Sequence, residues 1–349
     1  MDLYTRINAF EALGNYINTI ASDYENYLKN NKVSNEASQL LENAKPHNGW
    51  FTSENMLLAL RNWSEALSKD NLLRWTSAYQ FTDTAPKTVA IIMAGNIPLV
   101  GFHDFLSVLI SGNKALVKQS SNDAVLLPFL SEFLINYEPE FKNRIQFSDE
   151  HLKNFDAVIA TGSNNTARHF EYYFGKYPNI IRHNRNSVAI LTGNETLEEL
   201  KNLCNDIFTY FGLGCRNVSK IYVPVNYDFE MFFKACYDWK EIIHNNKYIN
   251  NYDYNKAVYL MDNLPLLDNE FLILKEDSQL SSPIAVLFYE YYDSLPQLRK
   301  HLQTISEDIQ CVVSSNLSPG DVHFGETQKP KLWDYADDVD TLAFLLQLS

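Results

Sequence analysis

The chain has 349 residues, 46% of them apolar and 21% charged, with a net charge of −14 at pH 7. That length suits two intimately packed domains, and the apolar fraction is enough for a sizeable core. An acidic balance of this size argues against nucleic acid as the main partner, because a phosphate footprint needs a basic face; a local pocket on such a protein still accommodates a small anionic cofactor.

The opening stretch MDLYTRINAFEALGNYI carries Asp2 and Glu11 and has no continuous apolar segment, so it does not read as a secretory signal. The densest apolar run, IPLVGFHDFLSVLI, is interrupted by His103 and Asp104. No stretch approaches the roughly 20 apolar residues that span a bilayer. The cysteines are Cys204, Cys215, Cys236 and Cys311. They form no CxxC pair or other metal-ligand pattern, so no metal is expected, and their sparse use fits a reducing, cytoplasmic setting.

Residues 1 to about 85 read as a helical layer, with Leu40, Leu41, Met56, Leu57, Leu60, Trp63 and Leu67 at helical spacing. The pattern changes at TVAIIMA (88–94), a continuous apolar run that reads as a buried parallel strand. A helical stretch follows and ends at Gly112, then a short strand at 114–118 and a helix at 122–138. FDAVIATG (155–162) is the next strand, residues 164–175 the next helix, and SVAILTG (187–193) a fourth strand. This alternation predicts α/β architecture around parallel sheets. In TLEELKNLCNDIFTY, Thr196 and Glu199 have capping-box spacing, and Cys204 falls on the apolar face of the helix. KIYVPV, SPIAVLFY and QCVVSS read as later strands, and the Asn-rich steps near 244–251 as a surface loop. The boundary is expected near 194: helices plus a nucleotide-binding domain over 1–194, and a catalytic domain with a C-terminal tail over 195–349.

Four short stretches carry chemistry. Gly95-Asn96-Ile97-Pro98 lies where the first strand ends, at the carboxyl edge where open α/β sheets bind ligands. Asn96 there can offer its amide to a reacting oxygen, although an ordinary strand-to-helix turn favours the same residues. Lys118 ends the second strand, and Gln119, Ser120 and Ser121 follow it; together they offer an ammonium and two hydroxyls to ribose or phosphate oxygens, although a solvated strand end has the same composition. Gly162 and Ser163 form a small-residue turn before a helix, and its amides suit an anion, without a GxGxxG fingerprint. Cys215 follows Gly212-Leu213-Gly214, glycines that let backbone approach a ligand closely. It is either a structural thiol or a nucleophile whose own amide helps to hold a tetrahedral oxyanion. No acid–histidine dyad stands beside it, so a papain-like reading fails.

In order and spacing, GNIP, GNKALVKQS, ATGS and GLGC resemble the motifs of the aldehyde dehydrogenase superfamily. Ser219 and Lys220 stand four and five residues after the cysteine, as in that pattern. The tail HFGETQKPKLWDYADDVDTLAFLL (323–346) narrows the resemblance to the LuxC-type acyl-CoA (fatty acid) reductases, as do IRHNRNSVAILTG and SPIAVLFYEYYDSL. The resemblance implies an aldehyde dehydrogenase-like fold: two Rossmann-like parallel-sheet domains with an N-terminal helical layer. It implies Cys215 as acyl-accepting nucleophile and Asn96, with the Cys215 amide, as oxyanion hole. Lys118 and Ser120 would hold the cofactor ribose, the Gly162–Ser163 turn the pyrophosphate, and Phe324 would pack near the nicotinamide.

The departures from the family pattern carry further expectations. Aligning the superfamily's E-L-G-G-K-S-P segment on Ser187 puts Arg182 where hydrolytic members have their water-activating glutamate. A thioester on Cys215 then has no obvious base to hydrolyse it, which fits acyl exchange with a thiol and reduction. Ser121 occupies a position that is often acidic in NAD-preferring members, leaving room for a 2′-phosphate and favouring NADPH. Gln119 replaces a proline, and Gln279 a glutamate of a ribose-contacting E-x-F-G-P motif. His183 and Arg185 are candidates for CoA phosphates or a proton relay, or belong to a surface loop. The reading is NADPH-dependent reduction of a fatty acyl-CoA, or of an acyl-protein, to the aldehyde. Its alternatives are a non-acylating aldehyde dehydrogenase that forms free acid and a silent nucleotide-binding scaffold. A homo-oligomer or a complex with an acyl-transferring protein is the expected assembly.

Overall fold

The computed structural model describes residues 1–30, 36–82, 84–315 and 318–348. Two compact units result: Met1–His183 together with Lys331–Ser349, and Asn184–Pro330. Among the described residues no helix is long and apolar enough to cross a membrane.

The first unit opens with the helical layer: α1 (Leu3–Asn30), α2 (Glu36–Ala44), α3 (Ser53–Ala66) and α4 (Lys69–Thr76). On α1 the buried positions Phe10, Leu13, Ile17, Ala21 and Tyr24 recur every three or four residues and give it one apolar stripe. Gly14 lies on that stripe, and a Cβ there would sit 2.8 Å from Leu67 Cβ, so its missing side chain sets how closely the end of α3 approaches. Thr52 caps α3 by accepting from the Asn55 amide.

The sheet of this unit alternates with helices: β1 (Thr88–Ile92), α5 (Phe102–Ile110), β2 (Lys114–Lys118), α6 (Leu126–Tyr137), β3 (Ile145–Phe147), β4 (Ala157–Thr161), α7 (Asn164–Phe174) and β5 (Asn179–Arg182). The strand order is β3-β2-β1-β4-β5, with every pair parallel. The chain runs outward one way from β1 through β2 to β3, then returns to start β4 on β1's other side. The crevice at the carboxyl ends of β1 and β4 is therefore the topological switch point, where open α/β sheets bind ligands. Central strands are buried apolar runs, such as Val89, Ala90 and Ile91 against Val158, Ile159 and Ala160.

The second unit holds β6 (Asn186–Ile190), α8 (Leu197–Phe208), β7 (Val218–Pro224), α9 (Glu230–Cys236), α10 (Asn246–Met261), β8 (Leu267–Asp268), β9 (Ile273–Glu276), β10 (Val286–Tyr292), α11 (Leu295–Thr304) and β11 (Ile309–Ser314). Its sheet runs β11-β6-β7-β10-β9-β8, parallel except for the antiparallel β8 edge. The capping box expected at Thr196 and Glu199 is present on α8.

Four expectations need correction. The strand at 187–193 does not extend the first sheet: it is β6, paired with β7 and β11. The units accordingly divide after His183, earlier than the expected 194. The tail belongs to the first unit, where Leu332, Leu342 and Leu345 enter its core and α12 (Thr341–Leu346) packs. The Asn-rich stretch is helical, because Asn245 caps α10 by accepting from the Lys247 and Tyr248 amides, and Tyr248 and Tyr252 are buried.

Candidate active site

In the first unit, the turns after β1, β2 and β4 carry the expected residues, and the parallel pairing puts all three at one edge. The first two turns interlock. A Cβ on Gly95 would fall 2.5 Å from Ser120 Oγ, so only glycine lets the Asn96 turn lie against the Ser120 turn. Asn48 Nδ2 donates to the Gly95 carbonyl at 2.9 Å, and its Oδ1 accepts from the Trp50 amide. At the other end, Leu99 adopts φ +57°, and its amide donates to Asp123 Oδ2 at 2.8 Å. Burial pushes the Asp123 carboxyl up to about 6, opposed by that one amide. Asn96 is thus half-buried on a turn held at both ends.

The cofactor candidates are placed as follows. Lys118 ends β2 and donates to the Glu150 carbonyl, and Ser120 caps a short turn by accepting from the Asn122 amide. Ser121 is exposed, with no carboxylate of its own. Ser163 caps α7, accepting from the Thr166 amide and bonding its hydroxyl at 2.9 Å. Gly162 packs so closely that a Cβ would meet Thr166 Cβ at 2.9 Å. These turns present small residues and a helix start, which fits a nucleotide pyrophosphate.

In the second unit, Cys215 is exposed, while Cys204, Cys236 and Cys311 are buried. Cys204 and Cys236 face each other with sulfurs 3.1 Å apart, and burial pushes the Cys236 thiol well up. Arg216 reaches the Cys311 sulfur. The turn before Cys215 is strained: Tyr210, Phe211 and Gly212 follow one another at φ 54°, 59° and 75°. Two aromatic residues in the left-handed region persist only where their surroundings over-determine them. Asn217 does much of that work. Its Nδ2 donates to the Asp206 and Thr209 carbonyls at 2.9 and 2.8 Å, and its Oδ1 accepts from the Gly214 amide at 2.8 Å. Ser187 Oγ donates to the Cys215 carbonyl at 2.9 Å. The backbone around the cysteine is therefore pinned while the residue itself is exposed.

Ser219 and Lys220, at the family offsets, are braces for a neighbouring loop. Ser219 Oγ donates to the Leu280 carbonyl at 2.7 Å. Lys220 is fully buried, pairs with Glu290 and donates to the Ser278 carbonyl at 2.9 Å. Between them they fix both neighbours of Gln279, which is exposed. Phe324 is 8% exposed. Gly325 beside it has φ +85°, and a Cβ there would come within 3.1 Å of Asn202 Cβ on α8.

Arg182 is committed inside the first unit at 5% exposure. It donates to Asp104 at 2.6 Å, to the Ala336 carbonyl at 2.8 Å and to Thr341 Oγ1 at 3.0 Å. His183 is exposed, 3.4 Å from Glu171, and Arg185 donates to the Ile309 carbonyl. No group of three or more His, Cys, Asp or Glu placed to hold a metal occurs among the described residues. Sequence reasoning missed Asn48, Asp123, Asn217 and Asp206, since short polar residues in loops and on a helix face show no pattern until their distant partners are known.

The protein-family model described as acyl-CoA reductase (LuxC) matches residues 15–231, well over half of the chain. Solved aldehyde dehydrogenases share the fold. Aldehyde dehydrogenase 21 from Physcomitrella patens, in complex with the reaction product succinate, is 12% identical and superposes with a TM-score of 0.65 over 99% of this chain and 84% of its own. A NAD-dependent aldehyde dehydrogenase from Sinorhizobium meliloti is 11% identical, with a TM-score of 0.65 over 92% and 72% of the two chains. An indole-3-acetaldehyde dehydrogenase complexed with NAD+ is 13% identical, with a TM-score of 0.63 over 90% and 73%. No curated protein matches the sequence.

Proposed function

The chain belongs to the LuxC family of acyl-CoA reductases, and from that premise we propose that it reduces a fatty acyl-CoA to the aldehyde with NADPH, through an S-acyl intermediate on Cys215. At the coarser level it is an oxidoreductase acting on an aldehyde or acyl group.

In the proposed mechanism the Cys215 thiolate attacks the thioester carbonyl and the CoA thiolate leaves, so one thioester replaces another. NADPH, when bound, would supply a hydride to the acyl carbon. The Cys215 amide and the Asn96 carboxamide donate to the oxyanion formed in each step. Collapse of the hemithioacetal expels the Cys215 thiolate and releases aldehyde. One NADPH and one proton are consumed for each acyl-CoA, and NADP+ and free CoA are released. Lys118, Ser120 and Ser121 are assigned to the ribose and its 2′-phosphate, Gly162 and Ser163 to the pyrophosphate, and Phe324 to the nicotinamide.

The observation that carries the reading is the exposed Cys215 on a turn whose backbone is pinned by Asn217 and Ser187. Arg182 adds support: the position aligned with the hydrolytic glutamate holds a cation committed to Asp104. The test is acylation with radiolabelled acyl-CoA, followed by NADPH oxidation across acyl-CoAs of graded length. Cys215→Ala should lose the label completely. Full labelling of that variant, or free acid formed from aldehyde without CoA, would overturn the reading.

A further inference from the structure

Asp206 is a buried carboxylate, 1% exposed, that none of the steps above uses. It lies one turn beyond Asn202 on α8, where Gly325 packs. Both of its oxygens are committed to the segment that follows Phe324. Oδ2 accepts from the Gly325 amide at 2.7 Å, and Oδ1 accepts from the Thr327 amide at 3.1 Å and the Thr327 hydroxyl at 2.8 Å. The Asp206 carbonyl accepts from Asn217 Nδ2, whose Oδ1 takes the Gly214 amide beside Cys215. No ion pair with Asp206 occurs among the described residues, so a charge is buried on hydrogen bonds alone, an arrangement that is costly and rarely kept without a use. A carboxylate accepts from all three donors at once, whereas an amide in its place would turn an N–H toward one of them.

We propose that Asp206 is a positioning residue for the reductive half-reaction: its carboxylate fixes the Phe324–Thr327 segment in register with the Cys215 turn. This rests on the reading of Cys215 as acyl acceptor and of Phe324 as neighbour of the nicotinamide. A segment displaced by even an ångström would misplace the hydride donor while leaving acyl transfer to Cys215 intact. Burial pushes the Asp206 carboxyl up to about 6 against its three donors. Glu326, on the held segment, is the charged side chain that acts on it, and it pushes the same way. From α9 and the 209–212 turn, Cys236 and Tyr210 are kept neutral by burial. The donors of the segment hold the carboxyl down against burial, so releasing the segment from a still-buried Asp206 takes up a proton and should become easier as pH falls through about 6.

The test combines hydrogen–deuterium exchange and half-reaction kinetics on the full chain, as wild type, Asp206→Asn and Thr327→Val, from about pH 5 to about pH 8. In the wild type, peptides covering 323–328 should lose protection as pH falls through about 6. In Asp206→Asn they should be unprotected at every pH, while peptides from the two sheets stay protected. Acylation of Cys215 should change less than about twofold, and reduction of the preformed acyl-enzyme should fall about ten- to a hundredfold. Thr327→Val, which removes the hydroxyl's bonds to Asp206 and from Gln328 but keeps both backbone donors, should lie between. Wild-type reduction in Asp206→Asn with normal acylation overturns the proposal alone. Absence of acylation in the wild type strikes the reading of Cys215 and takes the proposed catalytic consequence with it.

Discussion

Asn48 and Asp123 hold opposite ends of the turn that carries Asn96, one through the Gly95 carbonyl and the other through the Leu99 amide. Leu99 occupies left-handed backbone, so the Asp123 bond offsets a conformation that a branched apolar residue avoids. The arrangement has a measurable pH signature. The folded chain protonates Asp123 near 6, the unfolded chain near the ordinary 3.8. Between those values the folded state binds more protons, so this residue makes stability fall as pH rises from about 4 to about 6. The loss amounts to roughly 2–3 kcal/mol. Asp206 carries a shift of the same direction and size. Asp123→Asn keeps an acceptor for Leu99 and removes the ionisation. Urea denaturation of wild type and variant across that window should give curves that converge at the acid end, with the variant relatively more stable above about pH 6. Parallel curves would mean that Asp123 keeps an ordinary pKa in the folded chain.

At the scale of elements, the tail acts as a strap on the first unit. Trp75 Nε1 donates to the Tyr335 hydroxyl at 2.6 Å, Tyr335 and Tyr79 share a hydrogen bond of 2.7 Å, and Tyr79 donates to Asp340 at 2.8 Å. Asp340 also caps α12 through the Ala343 amide, and the Arg74 guanidinium lies 4.1 Å from the centre of the Trp333 ring. Arg182 completes the strap by joining α5, the end of β5 and two tail residues. The run DYADDVDTL, which marks the family in the sequence, is thus explained by packing and hydrogen bonding. The Arg182–Asp104 pair is buried, and breaking one side of such a pair leaves an uncompensated charge. Arg182→Met should therefore cost about 3–5 kcal/mol, and adding Asp104→Leu should recover most of that loss. Equilibrium unfolding of the two single variants and the double variant measures this directly. A loss below about 1 kcal/mol in Arg182→Met would remove the strap's anchor from the account.

Across the whole molecule, what could be read from the sequence was what depends on local pattern. Continuous apolar runs announced β1, β2 and β4, and the residues of their turns announced the ligand edge. The three-residue β3 was too short to show periodicity. An apolar run does not name its partners, so the run at 187–193 reads equally well as a strand of either sheet. Arg182 meets Asp104 across 78 residues, and Asp206 meets Thr327 across 121, separations at which no local signal survives. The same distinction shapes the units. Asn184–Pro330 is one continuous stretch with its own six-stranded sheet and the Cys215 turn, whereas the first unit needs two segments far apart in the chain. Leu332, Leu342 and Leu345 are buried in that first core, and losing three such side chains forfeits about 1.5–3 kcal/mol each, before the Tyr335 and Arg182 bonds are counted. A typical domain stability of about 5–15 kcal/mol does not withstand that loss. Residues 184–330 expressed alone should unfold cooperatively in urea and keep an alkylatable Cys215. Residues 1–183 alone should lack a cooperative transition and regain it when 331–349 is joined through a flexible linker. A cooperative transition of 1–183 without the tail would show that the strap decorates a core already complete.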